Sequence, residues 1–317
     1  MESPGRSTKQ DRGPDARRDA QATAQERPGS ADRRPLRASH ISVTHPGGAA
    51  SLGHPGLALA PAVGIALLLL VSAASAQGNF EIQVYGAETV EPGRTMIELH
   101  SNVTVLGTTR TVDGVRPTQH AWHETLEVTQ GFTPWFETAL YLFTSVQPDQ
   151  GWEFVGSHVR PRVRVPESWR WPVGLSLSTE IGYQRRAFSP DTWTVEIRPI
   201  IDAQLGRWYL AFNPTFARAI EGPGVARGWE FAPAAKVSYE VMRKKVSLGV
   251  EYYGAVGPPG RVDRPRDQEH QLFGVLDLDL GENWEFNLGI GAGLTPATDS
   301  LIVKSIIGYR FDFFGAK

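Results

Sequence analysis

The 317-residue chain contains no cysteine. That excludes disulfides, thiolate metal ligands and a lipid-modified cysteine. Strong charge of either sign is also missing, since 32 basic and 34 acidic residues leave a net charge of −2. From Gln77 onward 23 basic and 28 acidic residues leave −5. Nucleic acid is therefore not an expected partner, because phosphate binding needs a concentrated basic face. Beyond position 76 no stretch approaches the roughly 18 uninterrupted apolar residues of a membrane helix, so any crossing of a bilayer has to be made of strands. A phosphate-binding glycine loop is absent too: Gly289, Gly291 and Gly293 alternate inside a strand-like run, where they serve packing or curvature.

The one long apolar run, Leu57 to Ala76, ends in Ala74-Ser75-Ala76 and follows Arg33, Arg34 and Arg37. It reads as a signal peptide over 57–76, cut before Gln77. An uncleaved anchor is the alternative, since about 20 apolar residues can span a bilayer, while Pro61, Gly64 and the small-residue end favour cleavage. Residues 1–56 are rich in Arg, Asp, Pro, Gly and Ser. They are expected to be disordered, or a misassigned upstream extension. Residues 77–317 form the remaining domain.

Aromatic residues carry the main signal in that domain. Eight of the nine tryptophans open a run of alternating residues directly after a turn or loop. An indole suits a boundary between hydrocarbon and water, so tryptophans at both ends of strands suggest two membrane-interface girdles. Trp122, Trp171, Trp193, Trp208, Trp229 and Trp284 fall on the apolar face by parity, and Trp135 and Trp152 on the polar face.

Period-two alternation predicts twelve strands: 96–107, 121–131, 134–146, 152–165, 172–185, 191–203, 207–217, 228–241, 244–255, 269–280, 284–294 and 299–313. Connections after even strands are short; those after odd strands include the longer 108–119, 221–228 and 257–268. Short periplasmic turns opposite longer external loops are the pattern of a transmembrane barrel. In the fourth strand Val155, Ser157, Val159, Val163 and Val165 oppose Gly156, His158, Arg160, Arg162 and Arg164. A soluble ligand-binding barrel also alternates, with its apolar face inward. Twelve strands enclose more than side chains fill, which favours an ionised interior and a lipid-facing exterior. The expected fold is all-β, a closed antiparallel barrel of about twelve strands in the bacterial outer membrane, with outer-membrane lipid around it.

Gly308-Tyr309-Arg310-Phe311-Asp312-Phe313 resembles the terminal signal of outer-membrane proteins, a glycine followed by alternate aromatics, here Gly308, Phe311 and Phe313. The resemblance implies recognition by the barrel assembly machinery. Ile306 and the extension Gly315-Ala316-Lys317 depart from that pattern. The stretches EIQVYGAETVEPGRTMIELHSNVT and HAWHETLEVTQGFTPWFE resemble uncharacterised outer-membrane barrels allied to the phenol-degradation meta-pathway family of channels. That likeness implies transport of small compounds without naming one.

Inside the expected lumen, Arg160, Arg162 and Arg164 form a row about 7 Å apart, which needs water, anions or carboxylates. Parity places Glu137 and Glu180 on their face, with Glu127, Glu196 and Arg198 on nearby strands. The row reads either as a salt-bridge ladder or as a selectivity lining for anionic or amphiphilic solutes. Glu251, Asp277, Asp279, Glu285, Lys304 and Arg310 are expected to share the lumen, and opposite-sign clusters on facing walls would set up a transverse field. His120 and His123, three apart, face opposite sides of a strand and predict interfacial histidines, with no metal and no cofactor.

An enzyme is not expected. Outer-membrane phospholipases use a His-x-Ser arrangement, whereas here His100 adjoins Ser101 and His158 adjoins Ser157. The reading is passive transport of a small-molecule solute, polar or amphiphilic. The alternative is a closed structural barrel whose loops around Asp113, Glu221 and Arg261 meet a partner.

Overall fold

The computed structural model describes residues 78–313. The segments read above as an N-terminal extension (1–56) and a signal peptide (57–76), and Gly315-Ala316-Lys317, lie outside them. Twelve antiparallel strands close into a barrel: β1 (Arg94–Leu106), β2 (Trp122–Thr133), β3 (Phe136–Gln147), β4 (Gly151–Arg164), β5 (Gly174–Gln184), β6 (Trp193–Leu205), β7 (Trp208–Glu221), β8 (Trp229–Met242), β9 (Val246–Ala255), β10 (Glu269–Leu280), β11 (Trp284–Gly293) and β12 (Leu301–Asp312). Closure comes from β1 against β12, in register from Arg94↔Asp312 to Leu106↔Leu301. All twelve predicted strands are present, with ends displaced by a few residues.

One end of the barrel, here the inner end, carries the compact turns. Gly206 (φ 67°) and Gly281 (φ 87°) take the left-handed conformation that tight hairpins need. The other, outer end carries the connections 107–121 and 256–268. The lateral surface is aliphatic: Val159, Val163, Leu177, Ile181, Val250 and Leu288 are all exposed, although nothing in water would leave so continuous an apolar belt uncovered. A closed sheet satisfies every strand's backbone internally, which is the condition for standing in hydrocarbon. The fold and this belt place the protein in the bacterial outer membrane.

Two parity assignments need correction. A bulge in β4 inserts Val155 where Phe143 pairs with Gly156 and Thr144 with Phe154. Val155 therefore points inward, fully buried, and Trp152 and Phe154 point outward. A second irregularity between Gly131 and Thr133 precedes Trp135, which sits in the β2–β3 turn and is also exposed. An inserted residue reverses every face upstream of it.

The barrel is not hollow. Residues 78–93 cross the lumen in an extended course from the outer end, where Asn79 Nδ2 donates to Asp299 Oδ2 at 2.6 Å, to the inner end, where Gly93 N donates to Gly131 O at 3.0 Å. There Gly93 (φ 82°) reverses the chain into β1. Phe80, Ile82, Val84, Tyr85, Ala87 and Val90 are buried on this strap. Ile82 and Val84 pack with Ala211, Ala234, Phe273, Val275 and Ile302, while Phe80 packs with Ala139, Tyr141, Phe143 and Val155. Small inward residues on the wall make room for large ones on the strap.

Candidate functional site

The wall holds the strap by its backbone. Asn213 of β7 faces inward and acts as a miniature strand partner: its Oδ1 accepts from Tyr85 N at 2.8 Å and its Nδ2 donates to Tyr85 O at 3.0 Å. Asp202 accepts from Ala87 N at 2.9 Å and Glu137 from Val90 N at 2.7 Å. Thr125 donates to Phe80 O at 2.7 Å, and Lys304 to Ile82 O at 2.9 Å. A single strand surrounded by side chains has no ladder of its own, so these bonds meet a demand that buried backbone always makes.

The arginine row divides. Arg160 pairs with Glu127 at 2.6 Å and lies 3.6 Å from Glu137, and Arg162 pairs with Glu137 at 2.6 Å. Arg162 also donates to Gly86 O at 3.2 Å and Glu88 O at 2.7 Å. Arg164 does not join them. At the inner rim it pairs at 3.0 Å with the exposed Glu167, in the 3-10 turn Glu167–Trp169. Tyr85 completes the arrangement, with the guanidinium carbons of Arg160, Arg162 and Arg198 at 4.8, 5.8 and 4.6 Å from its ring centre. Ring faces attract cations most where water is excluded.

Arg198 joins Glu196 at 2.5 Å, Glu81 of the strap at 3.2 Å and Glu180 at 4.0 Å, while Glu180 also bonds His158. Across the barrel, Lys236 bridges Glu251 at 3.0 Å and Asp277 at 2.8 Å, and Lys304 meets Glu251 at 2.5 Å. Arg310 pairs with Glu285 at 2.5 Å. Each wall thus pairs cations with anions within itself. The expected opposition of signs between facing walls is not what forms, because neighbouring strands bring opposite charges closer than the lumen diameter does.

Two cavities flank the strap. The larger, about 650 Å³, is lined by Gly86, Arg164, Asp202, Lys236, Asp277 and Asp279 among others. The second, about 440 Å³, is lined by Tyr85, Met96, Glu98, Arg160, Arg162 and Arg310 among others.

Five of the predicted girdle tryptophans begin strands, Trp122, Trp193 and Trp229 at the outer end and Trp208 and Trp284 at the inner end, while Trp171 lies in the β4–β5 connection at the inner end; all but the half-buried Trp229 are exposed. Gly308 faces the lumen, while Tyr309, Phe311 and Phe313 form a chain of outward rings with centroids 6.1 and 6.3 Å apart. His123 corrects the expectation of an interfacial histidine. It is buried inside, its ring centre 4.4 Å from that of Phe80. His100 points inward, and Ser101 bonds Glu124 at 2.8 Å, so these neighbours face opposite sides.

Sequence reasoning missed Glu81, Tyr85, Asp202, Asn213, Lys236 and the pair Glu98 and His100. Two signals were present: the alternating Phe80-Glu81-Ile82-Gln83-Val84-Tyr85 before the first strand, and a run of inward alanines and one asparagine on β7 and β8.

A closed twelve-stranded barrel with an apolar exterior and a charged, strap-crossed lumen defines an outer-membrane β-barrel protein. No family model matches the chain, and neither does any curated protein. Among solved structures it is similar to the COG4313 outer membrane channel from Pseudomonas putida F1, with TM-score 0.50 and 11% identity over 73% of this chain and 100% of that one. A KdgM porin gives TM-score 0.45 and 10% identity over 68% and 99%, and Omp33 of Acinetobacter baumannii 0.39 and 12% over 72% and 100%. At such identities the likeness is one of fold.

Proposed function

We propose that the protein is a narrow passive channel of the outer membrane for small polar or amphiphilic solutes, its path running beside residues 78–93. The observation that carries this reading is the charged 650 Å³ cavity along the strap. A solute there meets ionised groups of both signs, which suits dipolar molecules better than apolar ones. We further read residues 57–76 as the cleaved export signal and Gly308, Phe311 and Phe313 as the contact with the assembly machinery.

A closed barrel is the second reading. It is favoured by the burial of Phe80, Ile82, Val84 and Tyr85 against the walls. Planar-bilayer recording from refolded residues 77–317 separates the two. Small, stable conductance supports the channel, and a variant lacking residues 78–90 should conduct several-fold more. Silence from both proteins, each with the heat-modifiable gel mobility of a folded barrel, would overturn the channel and leave the closed barrel.

A further inference from the structure

β1 carries Glu98 and His100 two residues apart, hence on one face, and that face is the lumen. Glu127 of β2 stands directly opposite Glu98 in the ladder. Two carboxylates opposite one another repel, and here both are buried, at 4% and 0% exposure, beside a His100 at 0%. Arg160 approaches one oxygen of Glu127, Oε1. The other, Oε2, has no hydrogen-bond partner, and neither ring nitrogen of His100 has one. His100 Nε2 lies 3.4 Å from Glu127 Oε2. Glu98 accepts from Gln83 Nε2 at 3.4 Å, a contact with a neutral amide. One atom from each of the three residues falls within 4.8 Å of the others. A buried imidazole with neither nitrogen hydrogen-bonded, set beside an unbonded carboxylate oxygen and a second buried carboxylate, is the condition a bound cation would relieve.

We propose that Glu98, His100 and Glu127 bind a divalent transition-metal ion, with zinc the best match to one imidazole and two carboxylates. Calcium and magnesium prefer all-oxygen sites, whereas a mixed nitrogen and oxygen set suits zinc and its neighbours. Three protein ligands leave one tetrahedral position for water or a solute anion. The way in is the 440 Å³ cavity, which Glu98 itself lines together with Met96 and Glu285. The bound ion would tie β1 to β2 and compensate the Glu98 charge.

The test uses the folded mature protein in detergent, stripped with chelator and titrated with ZnCl2 by calorimetry, with CoCl2 as a visible-absorption probe. One equivalent of Zn2+ should bind saturably, and Co2+ should give the absorption of a four-coordinate nitrogen and oxygen site. His100→Gln and Glu98→Gln should each weaken binding by more than the roughly 10–100-fold that loss of a mere supporting residue costs. His120→Gln, in the outer connection, should leave binding unchanged. Folding of each variant is read from heat-modifiable mobility. Absence of saturable uptake, or uptake that survives His100→Gln, would overturn the site. Should the variants fail to fold, zinc K-edge spectroscopy of the unaltered protein decides: a shell with a single imidazole supports the proposal, and an all-oxygen or multi-imidazole shell refutes it.

Discussion

Asn213 shows how much a single side chain contributes in this lumen. Replacing it with Leu leaves the N–H and C=O of Tyr85 without their partners, each costing about 1–3 kcal/mol. Asn213→Leu should therefore lower the urea midpoint of the refolded barrel, and an unchanged midpoint would mean that the strap does not depend on this contact. The arginines allow a sharper comparison. Arg160 is buried and bonded to Glu127, so Arg160→Met strands a carboxylate in the interior and should cost about 3–5 kcal/mol. Arg164 pairs with an exposed glutamate at the rim, so Arg164→Met should change stability by no more than about 1 kcal/mol. Equal effects on the unfolding midpoint would contradict this division of the row. Sequence parity identified the row and its glutamates, because alternation fixes which side chains share a face. It did not separate Arg164 from the others, since height along a strand relative to a rim depends on stagger that only pairing reveals.

At the scale of elements, the wall was legible and its contents were not. Each strand of the wall announces itself by alternation that lipid on one side and water or charge on the other enforce, and by turn residues such as Gly206 and Gly281. The strap alternates too, but both of its faces are buried, so nothing in its pattern says that it lies inside rather than beside β1. Its passage depends on close approach at the inner rim: a Cβ on Gly131 would fall on the carbonyl oxygens of Val90 and Glu91. Gly131→Val should push the strap out of place while most of the β2 ladder survives. Conductance and protease sensitivity of residues 78–93 should both rise, and a variant that conducts as before with an intact, protected strap would show that the passage tolerates a side chain.

For the whole molecule, the absence of cysteine gives a clean background for topology. Asp267→Cys, in the β9–β10 connection, and Gly78→Cys, where the strap starts, should react with a membrane-impermeant maleimide on intact cells. Lys244→Cys, in the β8–β9 turn, should react only after the outer membrane is permeabilised. Labelling of Lys244→Cys alone would invert the assigned orientation, and protection of Gly78→Cys beside a reactive Asp267→Cys would reverse the course of the strap. The arrangement of the ring as a whole was readable because twelve spans separated by connections of alternating length admit few closures. The filling of the ring was not, because it rests on contacts between residues more than a hundred positions apart, such as Tyr85 with Asn213.

The turn at Gly93 makes the occupant of the barrel a tethered one. A peptide joined to its own binding cleft through a short link experiences an effective concentration on the order of millimolar, so every departure is followed by return rather than loss. Opening of such a device would come as brief, self-terminating events whose frequency is independent of how much protein the membrane holds. Their duration would be set by how quickly residues 78–93 find their wall contacts again.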